Sequence, residues 1–272
     1  SPSCTASPGR SPTDGGASIT VELLAAAAVL LASLVIIERR AAHPLLPLRV
    51  VLDRNRGGSF LASLLVGIAM FGTFLFLTYY LQGTLHYSAL KSGFAFLPFS
   101  GGIILAAGLA SRLLPRFGPR TLMASGLLLG ALGLAWFTRI GVDTGYVAHV
   151  LPAELVASFG LGLAFVPLSS TALIGVAPHD AGVASAVVNA TQQIGGSLGT
   201  ALLNTVAASA TATYLVHRSR TAAISASGLV HGYTSAFVWS AAFLAIAVVS
   251  TTALVRATRR EVPVGEAGGL AL

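Results

Sequence analysis

Residues 57–90 read GGSFLASLLVGIAMFGTFLFLTYYLQGTLHYSAL, without a single Asp, Glu, Lys or Arg. An α-helix rises ~1.5 Å per residue, so ~20 apolar residues cross the ~30 Å hydrocarbon layer of a bilayer. Charge-free runs recur at 92–111, 121–138, 155–179, 181–217 and 221–255, and a shorter one, 23–37, lies between Glu22 and Glu38. They are apolar on every face, the pattern of membrane helices rather than of short alternating barrel strands. The composition agrees. The chain has 272 residues, 54% apolar and 9% charged, with a mean hydropathy of +0.81. A soluble domain carries about 25% charged residues to cover its wet surface. Disorder is excluded by the opposite argument, because so apolar a chain does not stay solvated.

The sequence therefore predicts an all-α membrane protein with seven transmembrane helices, at 18–37, 58–81, 92–112, 121–140, 147–172, 181–207 and 232–256. Residues 1–17, rich in Ser, Pro, Gly and Thr, form a flexible segment. The single helix 18–37 is followed by a basic loop, 38–57, broken by His43-Pro44 and Leu46-Pro47. A six-helix half-bundle occupies 58–256, and 257–272 is a tail. The chain lacks an initiator Met and begins in a loop, so it is expected to be a fragment of something longer.

Lys and Arg concentrate in cytoplasmic loops. Eleven of the sixteen fall in 38–57, 112–120 and 256–260, against five on the other side: Arg10, Lys91, Arg139, Arg218 and Arg220. This places the N-terminal end outside and the C-terminus in the cytoplasm. The basic excess is then topological signal, and no basic stripe interleaved with stacking aromatics marks a nucleic-acid surface. Cys4 is the sole cysteine, which excludes a disulfide framework. His86, His149, His179 and His231 show no metal-ligand spacing, and no hydrolase, nucleotide or dinucleotide motif is present. No enzyme, cofactor or metal is expected.

Several segments together resemble the major facilitator superfamily, in particular its fourteen-span drug:proton antiporters. They are Glu38-Arg39-Arg40 through His43-Pro44-Leu45-Leu46-Pro47-Leu48; Thr78-Tyr79-Tyr80-Leu81-Gln82 with Tyr87-Ser88-Ala89-Leu90, Gly93 and Leu97-Pro98; Arg116-Phe117-Gly118-Pro119-Arg120; Gly160, Gly162, Phe165, Pro167 and Leu168; and Asp180-Ala181-Gly182 with Ala184-Ser185, Asn189, Gln193, Gly195-Gly196 and Leu198-Gly199. The resemblance covers about residues 18–256. It implies the eighth span plus the C-terminal six-helix half, with the N-terminal half missing. The loop carrying Arg112, Arg116, Gly118 and Arg120 resembles a family pattern Gly-x-x-x-Asp-Arg-x-Gly-x-Arg. Here Ser111 replaces the Gly and Pro115 the Asp, so the carboxylate that would brace one conformation is absent.

Candidate site residues follow. Glu154 lies within the fifth span. An ionised carboxylate in a bilayer is costly unless paired, hydrated or protonated. It either faces a pathway, where it suits exchange of a proton against a cationic substrate, or sits near the outer headgroups. Asn189, Gln192, Gln193 and Gly196 recur at helical spacing. They line a substrate cavity, or hydrogen-bond to neighbouring helices, the reading that the nearby glycines favour. Gly126 and Gly130, and Gly195 and Gly199, form GxxxG pairs suited to close helix packing. Tyr79, Tyr80 and Gln82 end the second span as interfacial anchors, or Gln82 and a tyrosine form part of an outer gate. Asp180 is placed to cap the sixth span.

The expectation is thus the C-terminal half of a proton-coupled exporter of small amphipathic or cationic compounds, working by alternating access in the plasma membrane. Its partners would be the bilayer, substrate, protons and the missing half. The alternative is a truncated, non-transporting fragment or a subunit that needs a separately encoded partner.

Overall fold

Asp53 sets the first turn of the bundle. Its carboxylate accepts hydrogen bonds from the backbone N–H groups of Asn55 and Arg56, both at 3.1 Å, and caps a helix that runs from Arg54 to Tyr79 (α1). The computed structural model describes residues 53–176, 180–216 and 221–256, together with scattered helical positions between Glu22 and Ile37. The chain divides into two units, Ser1–Arg49 and Val50–Leu272. The expected flexible segment 1–17, the loop 38–52, His179 and the tail 257–272 lie outside the described residues, and the first expected span lies largely outside them.

In the second unit α1 widens into a π-helical turn, Tyr80–Thr84, and the helices that follow are α2 (Ala89–Ala95), α3 (Leu97–Phe117), α4 (Pro119–Phe137), α5 (Leu151–Ala172), α6 (Ala181–Leu215) and α7 (Ala222–Leu254). A second π-helical turn, Tyr146–Val150, leads into α5. No strand occurs among the described residues. Helix forms at all six expected positions after residue 57, with different ends. The expected span 92–112 is two helices broken at Phe96, with Pro98 opening the second. The last helix begins at Ala222, well before the expected 232, because the Thr221 hydroxyl accepts from Ile224 N–H and starts it. Asp180 stands at the head of α6, but its side chain makes no capping hydrogen bond there.

Five helical segments are long and apolar enough to cross a membrane: Arg54–Thr84, Ala89–Phe117, Pro119–Phe137, Tyr146–Ala172 and Ala222–Leu254. The fold is all-α with multiple membrane-spanning segments. At 35 residues α6 is longer than any of the other helices, yet it is not among the five. Asn189, Gln192, Gln193 and Asn204 lower its hydropathy while leaving its helix intact.

Close backbone approach organises the packing. A Cβ on Gly160 of α5 would fall on the backbone of Gly126 and Gly130 in α4. On α6, Gly195 and Gly199 abut the backbone of Leu64 and Ile68 in α1. Both predicted GxxxG pairs therefore sit at helix crossings, where the missing side chain lets main chains touch. Between the crossings, Phe76, Phe137 and Phe237 are fully buried. The Phe137 and Phe237 rings stack with centroids 5.0 Å apart, and Phe76 meets Phe237 edge-on at 6.5 Å.

The bundle has two chemically distinct ends. At one, Arg54 donates to the carbonyl oxygen of Ala253 at 2.7 Å, Arg120 donates to that of Thr252, and Arg256 N–H donates to Asn55 Oδ1 at 2.7 Å. The last carbonyls of α7 are thereby capped by cations from α1 and α4, which suits the negative end of a helix dipole. The other end is built on tyrosines.

Candidate functional site

Glu154 sits in the first turn of α5, its residue fully buried. The π-helical turn before it carries Tyr146 two turns back on the same side. Tyr146 Oη lies 3.0 Å from Glu154 Oε2 and 2.7 Å from the carbonyl oxygen of Ala95, the last residue of α2. The N–H of Phe99, in the first turn of α3, also lies close to the carboxyl, while Glu154 Oε1 makes no hydrogen bond. The break at Phe96 leaves this main chain open to Tyr146 of the π-helical turn and to Glu154 of α5. Farther along, Ser158 of α5 packs against Gly102 of α3, leaving no room for a Cβ there. An apolar cleft of about 510 Å³ opens beside these residues, lined by Pro98, Gly102, Leu105, Leu129, Leu155 and Phe159.

Tyr80 and Tyr87 extend the tyrosine end. Tyr80 is buried, and its Oη lies 2.9 Å from Gly141 O, 3.0 Å from Thr144 O and 2.7 Å from Thr144 Oγ1. It pins the loop that carries the chain from α4 into the Tyr146 turn. Tyr80 is thus not the interfacial anchor expected from its place at a span end. Tyr79 is half-exposed and packs against Phe76 and Tyr233. Gln82 is exposed in the π-helical turn and is not brought to Glu154's hydrogen bonds. The Tyr87 ring lies 6.3 Å from that of Tyr146, with the Lys91 ammonium 3.7 Å above its face.

The amide stripe of α6 divides. Gln192 turns toward α1, where its backbone carbonyl meets the surface of Gly67 and its Nε2 is buried without a partner. Gly196 packs against the Phe71 ring. Asn189 and Gln193 are exposed, as are Ser197 and Asn204 on the same side. Ile194, Leu198 and Leu202 are exposed on a separate, apolar side. None of the α6 amides reaches Glu154's hydrogen bonds.

In the loop motif, Gly118 adopts φ 78°, the left-handed region that favours glycine, and turns the chain from α3 into α4. Arg112 and Arg116 are exposed, and Arg120 caps α7. A smaller polar hollow of about 280 Å³ is lined by Thr138, Gly141, Tyr214, Ser227, His231 and Thr234. No cluster of His, Cys, Asp or Glu able to hold a metal occurs among the described residues. Sequence reasoning singled out Glu154 but missed Tyr146 and Ala95. The one available signal was the spacing of Tyr146, Val150 and Glu154 on a single helix face.

The described bundle is all-helical, with membrane-length segments, glycine-mediated crossings and one buried carboxyl. The family model described as Major Facilitator Superfamily matches residues 9–200, and the chain belongs to that family. It is 47% identical over 243 residues to the puromycin resistance protein pur8 of Streptomyces alboniger, covering 88% of this chain and 48% of that protein. Similarity to the cephamycin export protein CmcT of Amycolatopsis lactamdurans is 37% over 253 residues, covering 92% and 49%. The tetracenomycin C resistance and export protein of Streptomyces glaucescens is 34% identical over 192 residues, covering 70% and 35%. The chain spans about half the length of the first two relatives.

Proposed function

We propose that this chain is the C-terminal half of a proton-coupled exporter of small amphipathic or cationic compounds, with α1, α3, α5 and α6 lining one side of an alternating-access pathway. The observation that carries the reading is the kinship with proteins named for antibiotic resistance and export, each about twice as long as the aligned segment. The arginine distribution supports a plasma-membrane orientation with the arginine end in the cytoplasm. Glu154 is the proton-carrying candidate, being the buried carboxyl of the described bundle. Asn189 and Gln193 are candidates for the pathway wall, whereas Gln192, with Gly195, Gly196 and Gly199, serves packing.

The second reading, a half that transports only with a separately supplied partner, draws on α6. Its exposed Asn189, Gln193, Ser197 and Asn204 are costly against lipid and call for a polar surface opposite. Proton-driven efflux of a fluorescent cationic dye from inverted vesicles tests both. Efflux is expected when the chain is co-expressed with the segment encoded immediately upstream, and none is expected from the chain alone. Efflux by the chain alone refutes the half-transporter reading; silence with both pieces folded in the membrane supports an inactive fragment.

A further inference from the structure

Tyr146 has one hydroxyl hydrogen and two acceptors, Ala95 O at 2.7 Å and Glu154 Oε2 at 3.0 Å. One donor cannot satisfy both. Both contacts become full hydrogen bonds when Glu154 carries a proton: the carboxyl O–H then donates to the phenol oxygen, and the phenol O–H donates to Ala95. The geometry points to a proton-operated latch in which neutral Glu154 holds Tyr146 onto the last carbonyl of α2, and loss of that proton releases it.

The deprotonated state also has partners. The carboxyl O–H bond breaks and the proton passes to water at the tyrosine end. The phenol O–H swings from Ala95 to the carboxylate, and Phe99 N–H, at the positive end of α3, faces the new charge. Ala95 O loses its side-chain donor. Because α2 is a seven-residue helix already broken from α3 at Phe96, this contact is its side-chain hydrogen bond to the Tyr146 turn that leads into α5, beside the packing of the Tyr87 ring on Tyr146. Ser92, one turn earlier on the same face of α2, is 2% exposed and its Oγ has no hydrogen-bond partner, so it adds no second polar tie to a neighbouring helix.

Among the described residues, the other titratable or charged groups at this end of the elements packed on α5 are Tyr79, Tyr80 and His86 at and after the end of α1, Tyr87 and Lys91 at α2, Arg139 and Asp143 after α4, His149 on the approach to α5, and Tyr214 on α6. Lys91 is engaged over the Tyr87 ring, and Tyr80 with Gly141 and Thr144. Arg54, Arg56, Arg112, Arg116 and Arg120 occupy the opposite ends of α1, α3 and α4.

The latch deepens the proton-coupling reading and rests on it for its place in transport, but its test needs no transport. In the full chain carrying Cys4→Ser and Ser92→Cys, held in lipid nanodiscs, the Ser92→Cys thiol reports release of α2. Its rate of reaction with a maleimide, divided at each pH by the rate in the same chain bearing Glu154→Gln, cancels the thiol's own titration. The ratio is expected to rise with pH, by up to ~tenfold per unit for a one-proton linkage. The Gln amide donates to the phenol as the protonated acid does, so that variant stays closed throughout. Tyr146→Phe is expected to react fast at every pH with no rise in the ratio. A flat ratio, or a rise that survives Tyr146→Phe, overturns the latch. Infrared difference spectra of the unsubstituted chain give a second reading that is free of folding defects in the variants. A protonated-carboxyl band is expected at low pH, lost as pH rises and absent from Glu154→Gln; if it is missing at low pH the latch is wrong. A titrating latch without dye efflux would leave this inference standing while the transport reading falls.

Discussion

Tyr79 and Tyr80 are neighbours in sequence and do opposite things. One lies half in the open among aromatic rings, and the other sends its hydroxyl into the loop between α4 and α5. Tyr80→Phe keeps the ring and removes the donor from Gly141 and Thr144. Unfolding in mixed micelles is expected to show a loss of about 1–2 kcal/mol, the cost of leaving buried partners unsatisfied. Amide exchange at 141–145 should quicken with it, and protection equal to that of the unsubstituted chain would show that the hydroxyl holds nothing. At this scale the sequence disclosed only half of each pair. Glu154 stood out because a carboxylate is anomalous in an apolar run. Tyr146 did not, since a tyrosine near a span end has an ordinary explanation at the membrane interface. Tyr80 and Thr144 are 64 positions apart, and no periodicity in either segment links them.

Helix crossings carry the next level of specificity. Gly160 presses on α4 so closely that even a methyl group collides with main chain, whereas a Cβ on Gly108 meets nothing within 4 Å. Gly160→Ala is expected to cost about 1–3 kcal/mol through overpacking. Gly108→Ala, on the open side of α3, is expected to be neutral or to stabilise by up to about 1 kcal/mol through helix propensity. Thermal unfolding of the two variants side by side checks the contrast, and equal behaviour would remove close approach as the explanation. The GxxxG spacings were visible in the sequence, but thirty glycines made them unremarkable there. Which of them lie at crossings depends on how the helices face, and only three-dimensional packing settles that. The start of α7 was unreadable for a related reason. Residues 221–231 contain Ser, Thr, Gly and His and look like a loop, yet Gly228 and Gly232 are packed against Leu215 and Thr211 of α6.

Across the whole bundle, charge gaps alone located the six helical segments of the second unit, one of them broken into α2 and α3, because the bilayer imposes both a length and a polarity on each crossing. They said nothing of what joins the helix ends. Arg54 and Arg120 reach carbonyls 199 and 132 positions away. Replacing Arg120 by Ala is expected to fray the last turn of α7, at about 0.3–1 kcal/mol for a cation at a helix C-terminus. Hydrogen exchange at Thr251–Val255 should accelerate, and more so when Arg54 is removed as well. Unchanged exchange in the double variant would show that the arginines are bystanders.

The lengths of α6 and α7 have a mechanical consequence. With 35 and 33 residues they run to roughly 50 Å at 1.5 Å per residue, against the ~30 Å hydrocarbon of a bilayer. The arginine contacts hold the end of α7 level with the starts of α1 and α4, so the surplus projects at the tyrosine end. Set along the bilayer normal from that level, the pair would form a pointer whose tip stands ~20 Å clear of the hydrocarbon. A ~10° tilt about the membrane midplane would swing that tip by ~6 Å, about twice the displacement at the lipid surface below it. A fluorophore at Thr221 would therefore magnify any rocking of this bundle into a distance change that energy transfer can register.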